Sequence, residues 1–438
     1  MNKLGFLKNS IFSVIIQMFS IAIVIVNRFV YADLLSAEMY GVYNILTLIP
    51  TLCMLIVNFG IGHSISYFLS KKLIDIKKLI YAANIFSIIL GTIIAVISYY
   101  IFGLIYPELD SYLLLISVIT IPLLLWIYFI SFIFLGKQET TEYFIINNMQ
   151  IFMSLIFFAV LSRYINNNLL NLSIYGWLVG AVITVVYTLI RLHTKKLFQF
   201  EIISLEEIKS MIRYGIKMYL SSVMNFLNYR LDNFIISAIL SYESLGMYAI
   251  SVAIADMLGK ISQTISLILF SKLPMLSEKK ALVVTSIVLK ITLILNFISI
   301  VLFLTIGYNL LNIIFDSKYN DSFEIFLYLA PGVLFLSIFR ILYHDLAAKD
   351  LAKIGVNATA VGLVGTVILD FLFIPFMGIK GAALASTVTY LLSCLMIMRS
   401  YKKVNNVSYK EMFLPSTQEL IFIKALRKKN MISTFRKI

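Results

Sequence analysis

Apolar runs of spanning length alternate with short polar breaks along most of this chain. Crossing about 30 Å of hydrocarbon takes about 20 helical residues. Runs of that size fall at roughly 10–30, 40–69, 79–105, 112–135, 143–163 and 172–192. A basic, amphipathic interval follows from His193 to Arg213. Six more runs then fall at roughly 214–239, 245–271, 282–306, 322–343, 353–374 and 379–399. The pattern predicts an all-α polytopic membrane protein with about twelve transmembrane helices. Pro50, Pro122 and Pro331 lie inside spans, where neighbouring helices can satisfy the freed carbonyls.

One polar break is repeated. Leu35-Ser36-Ala37-Glu38-Met39-Tyr40-Gly41-Val42-Tyr43 joins span 1 to span 2, and Leu240-Ser241-Tyr242-Glu243-Ser244-Leu245-Gly246-Met247-Tyr248 joins span 7 to span 8. Leu, Ser, Glu, Gly and Tyr recur at a shift of 205 residues (246 − 41). Self-similarity at half the chain length predicts two pseudo-symmetric six-helix lobes. They cover 1–200 and 201–399, with a basic tail over 400–438. Many secondary transporters are built this way, with the substrate site between the repeats.

The spans flanking these breaks carry polar stripes. At 100° per residue, Ser10, Ser13, Gln17, Ser20, Asn27 and Arg28 share about 100° of span 1. Ser221, Asn225, Asn228 and Asp232 share about 60° of span 7. Asn44, Thr47, Thr51, Asn58 and Gly62 line one face of span 2, and Asp256, Lys260, Gln263 and Thr264 one face of span 8. Single Ser, Thr and Asn residues often serve helix–helix hydrogen bonds. Four stripes at repeat-related places favour a central hydrophilic cavity.

Ionisable residues at bilayer depth cost at least about 2.5–3.5 kcal/mol on insertion scales, so they carry a partner or a function. Arg28 either snorkels to the headgroups or meets an anionic substrate group. Asp256 and Lys260, spaced i and i+4, either form a structural pair or respond to an ion. Asp232 and Asp256 are the candidates for ion coupling. Arg230, two residues from Asp232, falls off the stripe and reads as packing or snorkelling.

Composition fits the membrane class. Hydrophobic residues make up 61% and charged residues 13% of 438, and the mean hydropathy is +0.94. Ordinary soluble domains are nearer half apolar and a quarter charged. The N-terminal apolar run lacks a small-residue cleavage site and is expected to remain as a span. The net charge of +14 reads as loop cations rather than nucleic-acid binding. Cys53 and Cys394 lie inside apolar runs and read as buried thiols. No GxxxxGK[ST] loop, metal-ligand spacing or large outer loop appears, so no ATPase, metal or glycan-polymerase chemistry is expected.

The chain resembles a known family. Asn9-Ser10, Gln17, Arg28 and the first repeated break resemble the opening of Wzx-type O-antigen and capsule flippases. Asn58-Phe59-Gly60-Ile61-Gly62-His63-Ser64-Ile65-Ser66 and Gly378-Ile379-Lys380-Gly381-Ala382-Ala383-Leu384-Ala385 fit the same pattern. These proteins belong to the multidrug/oligosaccharidyl-lipid/polysaccharide exporter superfamily. The resemblance covers about residues 1–400. It implies a MATE-like fold, no enzyme activity and no cofactor. It also implies translocation of an undecaprenyl-pyrophosphate-linked oligosaccharide from the cytoplasmic to the outer face. The implied partners are that substrate, membrane lipids, and the polymerase and chain-length machinery. Related peptidoglycan-precursor flippases carry more cavity arginines than this chain. The polar stripes supply the candidate binding set, with Arg28 and Lys260 for the pyrophosphate and Gln17, Asn27, Asn225 and Asn228 for the sugars. Alternative readings are a cation-coupled multidrug antiporter, which needs an acidic cavity, or a glycan polymerase, which needs a catalytic outer loop.

Lys and Arg concentrate in alternate loops, from Lys3 and Lys8 through Lys71, Lys72, Lys77 and Lys78 to the tail. By the positive-inside rule both termini are expected to be cytoplasmic, and the resemblance implies a bacterial inner membrane. Reporter fusions at Lys72, Lys196, Lys279 and Lys403 should read cytoplasmic, and fusions at Asp110 and Asp316 external. A cytoplasmic reading at Asp316 would break the twelve-span arrangement.

Overall fold

The computed structural model describes residues 19–20, 22–165, 167–197 and 201–414. Among them the chain is helical. α1 covers 22–34, and α2 to α7 are Ala37–Val57, Ile61–Ser70, Ile76–Ile105, Ser111–Gly136, Thr140–Leu161 and Leu169–Thr194. α8 to α14 are Leu205–Ile239, Tyr242–Lys272, Glu278–Phe315, Asn320–Ala348, Ala352–Met377, Ile379–Asn405 and Tyr409–Phe413. Each of spans 2 to 12 has a helix at its place, and of span 1 residues 10–18 and 21 lie outside the described residues. Ten helices among the described residues are long and apolar enough to cross a membrane. Side chains such as Leu104, Ile313 and Phe376 are more than four-fifths exposed. Apolar exposure over whole helices suits hydrocarbon rather than water.

The chain divides into two compact units, residues 1–250 and 251–438. In the first unit α5 is the most enclosed helix, packed by α2, α3, α4, α6 and α7. Pro122 inside α5 meets Gly91 of α4, where a β-carbon would stand 2.6 Å from the proline Cα. In the second unit α11 holds the equivalent place, packed by α10, α12 and α13, with Pro331 inside it. Both cysteines are free and buried.

Span 2 differs from its expectation as one continuous helix over 40–69. It breaks into α2 and α3 at Asn58-Phe59-Gly60. Phe59 and Gly60 take left-handed φ values of 45° and 73°. The Asn58 side chain holds the break. Its Nδ2 donates to the Leu55 carbonyl at 2.6 Å, and its Oδ1 accepts from the Gly60 N–H at 2.8 Å. The break lets α3 lie along α8. A β-carbon at Gly215 would stand 2.6 Å from the Gly60 carbonyl oxygen. Tyr67 stacks on Tyr214 at 4.1 Å, and Ser64 Oγ donates to the Met211 carbonyl at 2.6 Å. Lys78 pairs with Glu207 at 3.1 Å at the same end. The Ser204 N–H, and after it Lys78, hold the Glu207 carboxyl below the usual carboxylate range.

The repeated break has a structural meaning residue by residue. Ser36 caps α2 by accepting from the Met39 N–H, and Ser241 accepts from the Ser244 N–H at the start of α9. Glu38 and Glu243 lie in the first turns, where a carboxylate favours the helix N-terminus. The glycines of the two copies pack on each other. A β-carbon on Gly41 would overlap the Tyr242 carbonyl and stand 3.1 Å from the Gly246 nitrogen. A β-carbon on Gly246 would overlap the Ala37 carbonyl. Only residues without a side chain allow this backbone approach.

Overpacking a tight contact costs about 1–3 kcal/mol. Gly41→Ala and Gly246→Ala should each lower the melting temperature in detergent by about 2–6 °C. Gly103→Ala is the control, since a β-carbon there meets nothing nearer than Leu114 Cδ2 at 3.9 Å. Equal melting of all three variants would contradict a close crossing at the repeats.

Candidate functional site

The crossing of the two repeats sets the floor of a cavity inside the first unit. It has a volume of about 180 Å³. Asn27 and Arg28 reach it from α1, Tyr40, Tyr43, Asn44, Thr47 and Thr51 from α2, Arg230 and Asn233 from α8, and Trp177 from α7. Among the described residues the lining carries two arginines and no carboxylate. Tyr40 lies within electrostatic reach of both guanidinium groups. Charges of one sign in a low-dielectric recess raise the local concentration of the opposite sign.

Tyr40, Tyr43 and Trp177 give the lining its aromatic rings, and Tyr43 is backed by a buried stack. Tyr31 stacks on Tyr43 at 4.5 Å and on Phe158 at 4.3 Å, and Tyr40 neighbours Tyr43 at 6.3 Å. The Tyr31 hydroxyl pairs with Ser154 Oγ at 2.7 Å, which fixes α1 to α6. Aromatic faces beside polar groups suit sugar rings, which have apolar C–H faces. The threonines contribute less than their stripe suggests. Thr47 Oγ1 donates to the Tyr43 carbonyl at 2.9 Å and Thr51 Oγ1 to the Thr47 carbonyl at 2.8 Å. The amides contribute more. Asn233 Nδ2 donates to Asn44 Oδ1 at 3.4 Å. Asn27 Nδ2 and Asn233 Oδ1 are buried and have no hydrogen-bond partner among the described residues. Buried polar atoms left open in this way are filled by water or by a ligand.

The residues singled out from sequence are distributed unevenly. Arg28 and Asn27 line the cavity together. Gln17 lies outside the described residues. Asn225 is exposed and Asn228 half-buried on α8, and neither is among the lining residues. Lys260 and Asp256 belong to the second unit, where Lys260 Nζ donates to Gln263 Oε1 at 2.9 Å. In that unit Arg340 donates to the Gly259 carbonyl at 2.7 Å. Asp232 is 6% exposed, accepts from the Asn233 N–H at 2.8 Å and from the hydroxyl of Tyr248, the last residue of the second repeat.

Arg230 corrects the sequence reading. It does not merely pack or snorkel; it lines the same cavity as Arg28. Its departure from the Asp232 stripe is what turns it towards α1 and α2. Asn233 was also missed, although the shift of 205 sets it on Arg28 (28 + 205 = 233). Tyr40 and Tyr43 stood inside the repeated motif itself.

The model of a family described as "Polysaccharide biosynthesis protein" matches residues 6–280. The chain belongs to this family. No curated protein matches this family member by sequence. Among solved structures it is similar to "Lipid II flippase MurJ, inward closed conformation". That likeness has 18% identity, covers 96% of this chain and 93% of the other, and has a TM-score of 0.74. An inward-facing multidrug resistance MATE family transporter of the MOP superfamily matches with 12% identity, 87% and 93% coverage, and a TM-score of 0.70. A MOP superfamily transporter from Pyrococcus furiosus, whose title speaks of a binding pocket of reverse polarity, matches with 10% identity, 90% and 93% coverage, and a TM-score of 0.56. These likenesses show that this polysaccharide biosynthesis protein has the all-α, MATE-like membrane fold that the resemblance implies.

Proposed function

We propose that the chain is a flippase for an undecaprenyl-pyrophosphate-linked oligosaccharide repeat unit. It would move an O-antigen, capsule or exopolysaccharide unit from the cytoplasmic to the outer face of the membrane by alternating access. The observation that carries this reading is the cavity lined by Arg28 and Arg230, with no carboxylate among the described lining residues. A pyrophosphate is the anionic part of such a substrate. Guanidinium groups bind its oxygens through paired N–H donors. Asn27 and Asn233 supply an open donor and an open acceptor for hydroxyl groups. The family match to polysaccharide biosynthesis supports the glycan, and the likeness to a lipid II flippase supports a lipid carrier.

The volume limits what enters at one time. Pockets for drug-sized ligands run about 300–1,000 Å³. A cavity of about 180 Å³ accepts the diphosphate and the edge of the first sugar, not a whole repeat unit. Transport therefore requires an opening of the helices around it, with the polyprenyl tail left in the bilayer. Lys260 is a further cation for the diphosphate, and Asp232 and Asp256 are candidates for ion coupling. A cation-coupled drug antiporter fits less well, because organic cations would meet two arginines and no acid in the lining. Polymerase and chain-length proteins are natural partners, since they consume the unit at the outer face.

Losing a hydrogen bond to a charged group costs about 1.5–3 kcal/mol. Arg28→Gln and Arg230→Gln should each lower glycan display in a flippase-null strain by about tenfold or more at equal protein level. Arg28→Lys keeps the charge and loses the fork, so it should support partial display. Near-normal display from both glutamine variants would remove the cavity from the transport path.

A further inference from the structure

The end of α13 carries a second cationic recess, unconnected with the substrate reading. Arg399, Lys402, Lys403, Asn406, Val407 and Ser408 line an open pocket of about 530 Å³. It is formed by a fixed hairpin. Asn406 turns the chain with a left-handed φ of 52°. α14 then folds back on α10, where Met412 is 3% exposed. Lys290 of α10 donates to the Leu414 carbonyl at 2.6 Å, and Ser286 donates to the Glu411 carbonyl at 3.0 Å. Behind the turn, Lys349 Nζ donates to Asn405 Oδ1 at 2.6 Å.

The cations are thus held on a rigid frame. Lys402 is further fixed with its ammonium 4.7 Å from the Tyr409 ring centroid. The one carboxylate in the hairpin, on Glu411, accepts from the Ser408 N–H at 2.6 Å. That contact turns it to the α14 cap rather than to the pocket cations.

The helix leading into the pocket is apolar on the same face. Leu392 and Leu395 are both 40% exposed. Leu392, Leu395, Arg399, Lys402 and Asn406 fall within an arc of about 80° at 100° per residue. Along one stripe the surface runs from exposed leucine, at membrane depth, to clustered cations at the helix end. That order matches an acyl chain below a phosphate. A free anion would make no use of the leucines.

We propose that this recess binds the phosphate headgroup of an anionic phospholipid, with an acyl chain along Leu392 and Leu395. Arg399 grips the phosphate oxygens, and Lys402 and Lys403 add charge at the headgroup level. The site would tie α13 and the α14 hairpin to the membrane surface.

The test uses the purified full chain, delipidated in neutral detergent and followed by native mass spectrometry. Phosphatidylglycerol or phosphatidylcholine is added, with and without inorganic phosphate. The R399Q/K402Q/K403Q variant should weaken phosphatidylglycerol retention by about tenfold or more and leave phosphatidylcholine retention unchanged. R399K/K402R/K403R should retain the lipid. K71Q/K72Q/K77Q removes the same charge elsewhere and should have no effect. If the triple glutamine variant is not recovered folded, K402Q and K403Q singly should each weaken retention by about threefold. Equal loss from the Lys71, Lys72 and Lys77 variant would make the effect one of net charge and overturn the site. Full displacement by millimolar inorganic phosphate would make it an anion site and overturn the lipid. Unchanged retention in R399Q/K402Q/K403Q would also overturn it.

Discussion

The backbone contact between Gly41 and Gly246 is the constraint on which the cavity depends. The two glycines belong to the two copies of one motif, and each fits where a β-carbon on it would overlap the other copy's backbone. Bringing two helix N-termini this close fixes where Tyr40, Tyr43 and Asn44 stand opposite Arg230 and Asn233. Each residue of the motif has a separate part in this. Serine caps, glutamate meets the helix dipole, glycine allows contact, and tyrosine reaches the preceding helix: Tyr43 stacks on Tyr31 and Tyr248 donates to Asp232.

Arg28 and Arg230, both half-buried, give one small recess a positive lining that favours an anion. Asn27 and Asn233 add directional groups at the same place. Tyr43 of the lining is backed by the buried stack of Tyr31 and Phe158, and the Tyr31 hydroxyl pairs with Ser154.

Much of the fold could be read from the apolar pattern because membrane helices must satisfy their backbone internally. Long runs therefore translate directly into helices. The break in span 2 was not legible that way. Asn58, Phe59 and Gly60 interrupt neither hydropathy nor length, and the break depends on an asparagine side chain bonding backward and forward around a left-handed turn. The site was half legible. Arg28 and Asn27 were found because they share a stripe with other polar residues. Arg230 was misread because a stripe measures likeness of direction on one helix. It cannot show that a residue just off the stripe faces a neighbour. Asn225 and Asn228 share the stripe and are not among the residues lining this recess. Comparing the copies position by position would have supplied Asn233.

The most direct test of a cationic, diphosphate-selecting cavity is transport by the purified protein in proteoliposomes. A fluorescent polyprenyl-diphosphate oligosaccharide should cross at least about tenfold faster than the same oligosaccharide on a monophosphate, as one lost charge-assisted contact would give. Equal rates for the two carriers, or movement of an organic cation in their place, would contradict it.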